Sequence, residues 1–232
     1  MIRPHRAAGL LLVAVPLIFI AGFTGLQVSF DYPDILRRPA AEVLARFADG
    51  GGLLLAFWYA MMLAAILLVP AAVALGFHLW RRDPLLAALS AVFGVLAGLV
   101  QAMGLLRWII LVPSLATQNG LGGVDADAAG RLFDAANHYL GMGIGEHFGY
   151  LFTAVWTALV AALVWRPHKI VALCGLAIAI GVAAGMLEPF GVPFTATINA
   201  VAYSLWAVWA LMLGTVVLRS ERSTGSGMPI TV

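Results

Sequence analysis

Long apolar runs separated by short polar segments dominate this chain. A helix needs roughly 20 apolar residues to cross a hydrocarbon core of about 30 Å, and six stretches of the sequence reach that length. They lie near Ala8–Val28, Leu53–Trp80, Leu85–Leu115, Tyr139–Trp165, Ile170–Leu187 and Thr195–Leu218. The pattern predicts an all-α polytopic membrane protein, in which residues 1–219 form one domain, a bundle of six transmembrane helices. Residues 220–232 are polar and contain glycine, which predicts a disordered cytoplasmic tail.

Two polar connections carry a helical pattern of their own. In Pro39–Gly50 the proline suits a first helical turn, and the final glycine suits a C-cap. Val43, Leu44 and Phe47 would form an apolar face of this helix. Glu42 and Arg46 are spaced as an i,i+4 charged pair. We therefore predict a short amphipathic helix on the outer membrane surface. Asp125–Leu140 begins with acidic residues and becomes apolar, which predicts a helical lead into the fourth span.

Basic residues divide unequally between the two sides of the bundle. One side holds Arg3, Arg6, Arg81, Arg82, Arg166, Lys169, Arg219 and Arg222. The other side holds Arg37, Arg38, Arg46 and Arg131, offset by Asp31, Asp34, Glu42, Asp49, Asp125, Asp127 and Asp134. The positive-inside rule then predicts a cytoplasmic (plasma) membrane protein with both termini in the cytoplasm. Aromatic residues near span ends are predicted interfacial anchors: Trp58, Tyr59, Trp80 and Trp165.

Composition supports the membrane assignment. The chain is 62% hydrophobic and 10% charged, whereas soluble domains average about 45–50% and 25%. Its net charge of +2 comes from basic residues at helix ends, so lipid topology explains it and we expect no nucleic-acid partner. Cys174 is the sole cysteine, which excludes a disulfide framework or a cysteine zinc site within one chain. The expected partner is the lipid bilayer.

Glycines recur every fourth residue at the start of the fourth span. Gly141, Gly145 and Gly149 form two overlapping G-x-x-x-G units, and such small faces allow helix backbones to approach closely in lipid. They do not form a phosphate loop, because the preceding strand and the spacing are missing. We predict that this face packs against another helix.

Ionisable residues inside the apolar spans are the candidate site. A charged group there is costly and is a functional-site hypothesis by default. Helical rise of about 1.5 Å per residue brings five of them to a similar depth in the outer half: Arg107, His138, Glu146, His147 and Glu188. We expect Arg107 to pair with Glu146 or Glu188, at salt-bridge or one-water distance.

The fourth span also carries a polar stripe. At about 100° per residue, Glu146, Tyr150, Thr153 and Thr157 share one face, which must face protein or water because unsatisfied polar groups in hydrocarbon cost several kcal/mol. We expect Glu146 and His147 to line an outward-open cavity. The candidate ligand-binding residues are thus Arg107, His138, Glu146, His147, Tyr150 and Glu188.

The sequence lacks the residue patterns that several kinds of active site or cofactor site require. A b-type haem needs axial histidines from facing helices at one depth, but His138 and His147 share a helix, and His78 and His168 lie at the other side. No G-x-S-x-G motif, P-loop or paired-carboxylate signature is present. No H-E-x-x-H spacing occurs either, although imidazole and carboxylate ligands for zinc or iron are available. We assign no catalytic residue and expect no cofactor, and a metal remains an open alternative.

Three segments resemble a known family. They are D-Y-P-D-I-L-R-R-P-A-A-E-V-L-A-R-F, R-W-I-I-L-V-P-S-L-A and G-E-H-F-G-Y-L-F-T-A-V-W. The sequence resembles bacterial multi-pass membrane proteins classified only as a domain of unknown function, over most of residues 5–218. The resemblance implies a six-helix bundle in a bacterial cytoplasmic membrane, and it supplies no activity or substrate.

The leading functional interpretation is a non-enzymatic membrane protein. It would bind a small ligand, an ion or a lipid group in an outward-facing polar pocket, as a sensor or a transport component. One alternative is a metal-dependent membrane enzyme that uses His138, Glu146 and His147. The other is a structural or assembly subunit, in which the charged cluster only holds helices together.

Overall fold

The structure, a computed structural model, describes residues 4–219, and these are helical apart from short connections. The helices are α1 (Pro4–Phe30), α2 (Ala40–Leu79), α3 (Pro84–Ile110), α4 (Val112–Leu121), α5 (Gly123–Ala136), α6 (Gly149–Val164), α7 (Lys169–Ala184) and α8 (Thr195–Arg219). A π-helical segment, Asn137–Phe148, joins α5 to α6, and 3-10 turns cover Asp34–Arg37 and Gly185–Phe190. The predicted disordered tail, residues 220–232, lies outside the described residues.

Six helical stretches within residues 4–219 are long and apolar enough to cross a membrane. They are His5–Phe30, Ala40–Leu79, Pro84–Leu121, Gly123–Val164, Lys169–Phe190 and Thr195–Arg219. This confirms the predicted all-α class and the six apolar spans. The predicted helical lead into the fourth span is also confirmed, since α5 continues directly into the π-helical segment.

The six long helices form a ring in which sequence neighbours are also neighbours in space. Each packs against the next in the order α1, α2, α3, α6, α7 and α8, and α8 returns to α1. We call the end with residues 31–39, 111–136 and 185–194 the distal end. The end with residues 80–83 and 165–168 is the basal end. By the positive-inside rule, the distal end corresponds to the predicted outer side.

The basal half of the ring is filled by apolar side chains. Its cluster includes Leu12, Leu75, Trp156, Trp209 and Leu213, all at most 1% exposed. Trp156 and Trp209 meet edge to face, with ring centroids 6.2 Å apart. Side chains packed in this way occupy the ring interior at the basal end.

A second cluster, at the distal end, is built around two stacked tryptophans. Trp58 and Trp108 lie 4.2 Å apart and nearly parallel, and both are fully buried. The prediction of Trp58 as an interfacial anchor is therefore wrong, because stacking on Trp108 places it in the protein interior. Trp80 and Trp165, in contrast, are 47% and 38% exposed.

The short distal helix forms as predicted but packs differently. At Gly51 the backbone leaves helical geometry, with φ of 55° and ψ of −150°, so Ala40–Gly50 is set apart from the rest of α2. Its apolar face belongs to the distal cluster with residues of α3, α4 and α5. The face is covered by protein, so the expectation that it lies against the membrane surface is not met.

The charged pairing on this helix also differs from the expected i,i+4 pair. Glu42 accepts a hydrogen bond from Arg38 at 2.8 Å rather than pairing with Arg46. Arg38 also donates to Asp31 at 2.5 Å. Arg38 thus connects the residues just after α1 to the start of α2.

The third span is interrupted near its distal end. α3 ends at Ile110, and α4 begins at Val112 with a proline in its first turn. Proline has no N–H for a bond to the preceding turn and disfavours helical geometry in the residue before it. The predicted single helix to Leu115 is therefore two helices.

Candidate functional site

A cavity of about 480 Å³ opens inside the ring in its distal half. Its walls are formed by helices α1, α2, α3, α6 and α8, by the π-helical segment and by the 3-10 turn Gly185–Phe190. Residues 32–37 contribute to its rim. Its polar lining residues include Tyr32, Gln101, Arg107, Asn137, Glu146, Tyr150, Glu188 and Tyr203. Its apolar walls include Phe19, Phe23, Trp58, Met61 and Trp108. We call this the distal cavity.

Arg107 is the most deeply buried charge of the distal cavity. Only 7% of it is exposed. Its Nη1 donates to the carbonyl of Gly104, and its Nη2 donates to Asn137 Oδ1 at 2.9 Å. The guanidinium carbon lies 5.3 Å from the centre of the Trp108 ring, within the range of a cation–π contact. Nε is buried and has no hydrogen-bond partner.

The two carboxylates of the cavity do not pair directly with Arg107. Glu146 and Glu188 line the same cavity and are half-buried, but neither lies within 4.0 Å of the guanidinium. The one ion pair between described cavity residues is Asp34 with Arg37, at the rim. A direct salt bridge is therefore absent among the described residues, and the alternative expectation, one-water distance to Glu146 or Glu188, stays a prediction. Neutral acceptors hold the guanidinium, so its charge is not cancelled by contact with a carboxylate.

The glycine face of the fourth span creates the space for this arginine. A Cβ on Gly141 would lie 2.5 Å from Arg107 Nη2, and one on Gly145 would lie 3.0 Å from Gly104 Cα. One on Gly149 would lie 3.0 Å from the Gln101 side chain. The predicted helix-packing role of these glycines is confirmed, with α3 as the partner.

The π-helical segment sets which residues face the cavity. Asn137, Gly141, Glu146 and Tyr150 all line it, at spacings of four, five and four residues. Such spacing fits a helix with i→i+5 bonds and more residues per turn than an α-helix. At about 100° per residue, Asn137 would point well away from Tyr150. Segments of this kind occur frequently at functional sites.

Part of the predicted polar stripe serves the helix packing instead. Thr153 accepts hydrogen bonds from Gln101 at 3.1 Å and from Tyr203 at 3.4 Å. Thr157 accepts from Trp206 Nε1 at 3.0 Å. Both threonines are buried, so these groups face protein and are satisfied there. Only the distal part of the stripe, Glu146 and Tyr150, reaches the cavity.

The two candidate histidines lie apart from this site. His138 is exposed, and its Nδ1 lies 2.8 Å from the carbonyl oxygen of Asp134. The half-buried His147 places its ring 6.2 Å from that of Phe148. Neither lines the distal cavity. Across residues 4–219, no three His, Cys, Asp or Glu side chains come together to hold a metal ion, so the metal-enzyme alternative lacks a ligand set there.

Sequence reasoning missed two residues of the site. Asn137 is the hydrogen-bond partner of Arg107, and only the π-helical spacing aligns it with Glu146. Tyr32 lies in a connection, where no periodicity points to it. Its ring meets Trp58 edge to face at 5.3 Å. Burial raises the pKa of Tyr32, so at physiological pH its hydroxyl is neutral and can donate a hydrogen bond into the cavity.

Six apolar helices around an internal polar cavity define an integral, multi-pass membrane protein. The chain belongs to the family described as "Domain of unknown function (DUF4386)", whose profile matches residues 7–218. No curated protein and no solved structure matches the sequence significantly.

Proposed function

We propose that this protein binds a small ligand in the distal cavity and serves as the binding component of a membrane sensing or transport system, rather than as an enzyme. The observation that carries the proposal is Arg107. It is a buried cation that lines the cavity, and no carboxylate of the described residues contacts it. A buried charge without such a contact is costly within a membrane, and an anionic group of a ligand in the cavity would offset that cost.

The size and lining of the cavity support a small-molecule site. Ligand pockets commonly measure about 300–1,000 Å³, with mostly apolar walls and a few convergent polar groups. The distal cavity, at about 480 Å³, has both features. Aromatic walls such as Phe19 and Trp58 would surround an apolar part of a ligand, whereas Arg107 and Glu146 would orient its charged part.

Access is expected from the distal side alone. The basal half is filled by the apolar cluster that contains Trp156 and Trp209. A ligand would therefore enter and leave through the same side, which favours binding over conduction. The positive-inside rule places that side outside the cell.

Accessibility of the cavity tests the proposal. The test protein carries Tyr150→Cys in a Cys174→Ala background, since Tyr150 is a half-buried cavity residue. We expect a water-soluble maleimide added to the purified, delipidated protein in detergent to label position 150. Val124→Cys in the same background is the positive control, because Val124 is 81% exposed in the distal connection. Ala161→Cys is the negative control, because Ala161 is fully buried in the basal cluster.

The result that would overturn the proposal is labelling at position 124 with none at position 150, in a protein that elutes as a folded species. The structural-subunit interpretation would then replace ligand binding.

A further inference from the structure

Helices α1 and α8 meet closely at the basal end of the ring. A Cβ on Gly9 would lie 3.1 Å from the carbonyl oxygen of Gly214 and 2.5 Å from the side chain of Leu218. Because the two helices run antiparallel, the distal half of α1 should face the first turns of α8. In those parts, residues of both helices line the distal cavity: Phe19 and Phe23 on α1 and Ala196, Ala200 and Ser204 on α8. From this lining we take the cavity to open between the two helices, and we call this passage the α1–α8 gap.

The α1–α8 gap faces the bilayer. In the ring, α1 packs mainly against α2 and α8, and α8 packs mainly against α1, α7 and the 3-10 turn before it. No further helix of the described chain covers the outside of this pair. Ser204 is eight residues after Ala196, so the gap extends about 12 Å along α8. It therefore reaches the depth of the acyl chains of the adjacent leaflet.

The charges in the cavity favour a ligand with both signs of charge. Arg107 supplies one cation, of whose five N–H donors two are bonded to protein. Glu146 and Glu188 supply two carboxylates that lack a contacting cation. At the rim, Asp34 and Arg37 pair with each other at 3.5 Å. A purely anionic ligand would face two carboxylates, and a purely cationic ligand would face the arginine.

We infer that the ligand is a zwitterionic phospholipid with a primary amine, taken from the leaflet at the distal side through the α1–α8 gap. Its phosphate binds Arg107, helped by the Tyr32 hydroxyl. Its ammonium group lies between Glu146 and Glu188, and its acyl chains remain in the gap against Phe19 and Phe23. This inference rests on the proposed function, because it names the ligand class of the same cavity.

The chemistry of the three groups supports this assignment. A guanidinium binds phosphate oxygens with parallel, charge-assisted hydrogen bonds. A primary ammonium donates three hydrogen bonds, which two carboxylates can accept. The small side chains at Ala196, Ala200 and Ser204 leave room for an acyl chain between the helices.

The test uses purified, delipidated full-length protein in detergent with the Tyr150→Cys and Cys174→Ala changes. The maleimide reaction at position 150 is timed with no addition, with lysophosphatidylethanolamine, with lysophosphatidylglycerol of the same chain, and with water-soluble glycerophosphoethanolamine. We expect lysophosphatidylethanolamine to slow the reaction by about tenfold or more, and the other two to have little effect. Val124→Cys reports whether the additions change maleimide reactivity in general.

Two further variants examine the gap and the charges. Ala200→Trp fills the gap and should raise the lysophosphatidylethanolamine concentration needed for protection by about tenfold, whereas Val208→Trp, on the same helix but outside the cavity, should leave it unchanged. Glu188→Gln should reduce the preference for lysophosphatidylethanolamine over lysophosphatidylglycerol. The matched control is Glu42→Gln, since Glu42 lies outside the cavity.

Each contrary outcome would refute a specific part of the inference. Equal protection by lysophosphatidylglycerol would refute the zwitterion assignment, and equal protection by glycerophosphoethanolamine would refute the lipid source. If position 150 reacts but none of the three compounds protects it, the inference fails while a cavity for another ligand stands. If position 150 does not react at all, the proposed function fails, and the inference fails with it.

Discussion

Gly141 lies directly against the guanidinium of Arg107. A Cβ at position 141 would be 2.5 Å from Nη2 and 2.7 Å from Cζ, closer than side-chain atoms can approach. The absence of a side chain at this position is what allows the buried arginine to reach Asn137 from α3. One residue of the glycine face therefore sets the geometry of the distal cavity.

Gly141→Ala should destabilise the protein because the methyl group would displace Arg107 from its acceptors. Overpacking of this kind costs about 1–3 kcal/mol. For a chain of this size each kcal/mol lowers the Tm by about 2–4 °C, so we expect the Tm in detergent to fall by about 2–12 °C. The control is Gly143→Ala in the same π-helical segment, where a Cβ would meet only the His138 carbonyl oxygen at 3.5 Å. Equal Tm values for the two variants would contradict the packing argument.

Arg107 should be coupled more strongly to Asn137 than to Glu146. The first pair is hydrogen-bonded at 2.9 Å, whereas the carboxylate lies beyond 4.0 Å, across a cavity that water can enter. A double-mutant cycle with Arg107→Gln and Asn137→Ala should give a coupling of about 1–2 kcal/mol in the free energy of unfolding. The parallel cycle with Glu146→Gln should give less. A larger coupling to Glu146 would restore the expected salt bridge as the main interaction.

A side chain at position 51 should destabilise the protein because of the backbone conformation there. The φ of 55° and ψ of −150° at Gly51 lie in a region adopted almost only by glycine, and forcing another residue there costs about 1–3 kcal/mol. Gly51→Ala should therefore lower the Tm, whereas Gly52→Ala should leave it unchanged or raise it slightly. A Cβ at either position would meet no atom within 4 Å, so contact differences cannot explain the contrast. Equal Tm values would show that the break in α2 relaxes at no cost.

Topology remains a prediction from charge, and reporter fusions can measure it. Fusions after Arg82 and Arg166, at the basal end, should report the cytoplasm. Fusions near Gly51 and Gly122, at the distal end, should report the outside. A reversal at any of the four positions would place the distal cavity on the wrong side for an outward-facing site.

The fold was largely predictable because length and apolarity alone define a spanning helix. All six spans follow from that criterion. The helix that begins at Ala40 and the break at Gly51 follow from local signals, since the pattern predicts a helix that ends at Gly50 and a span that begins at Leu53. The break before Val112 does not follow from length and apolarity, because that criterion does not weigh the proline at position 113.

The site was predictable in part, and the reason is energetic. Arg107, Glu146 and Glu188 stand out because charges in a bilayer require compensation, and the structure places all three at one cavity. Asn137 was missed because an α-helical period was assumed across a segment that forms i→i+5 bonds. An α-helical period also fails to predict which neighbours of Glu146 face the cavity. His147 was expected there, but it does not line the cavity.

The ring order also has a consequence for how the protein is made. Each spanning helix packs against the one synthesised before it, so most contacts can form as the helices enter the membrane in turn. The contact between α1 and α8 is the exception, since the first helix must wait for the last. A chain that ends before Thr195 would have five packed helices, an uncovered glycine at position 9 and a cavity without one wall. Until α8 is in place, the side of the cavity that α8 lines would be open along its whole length.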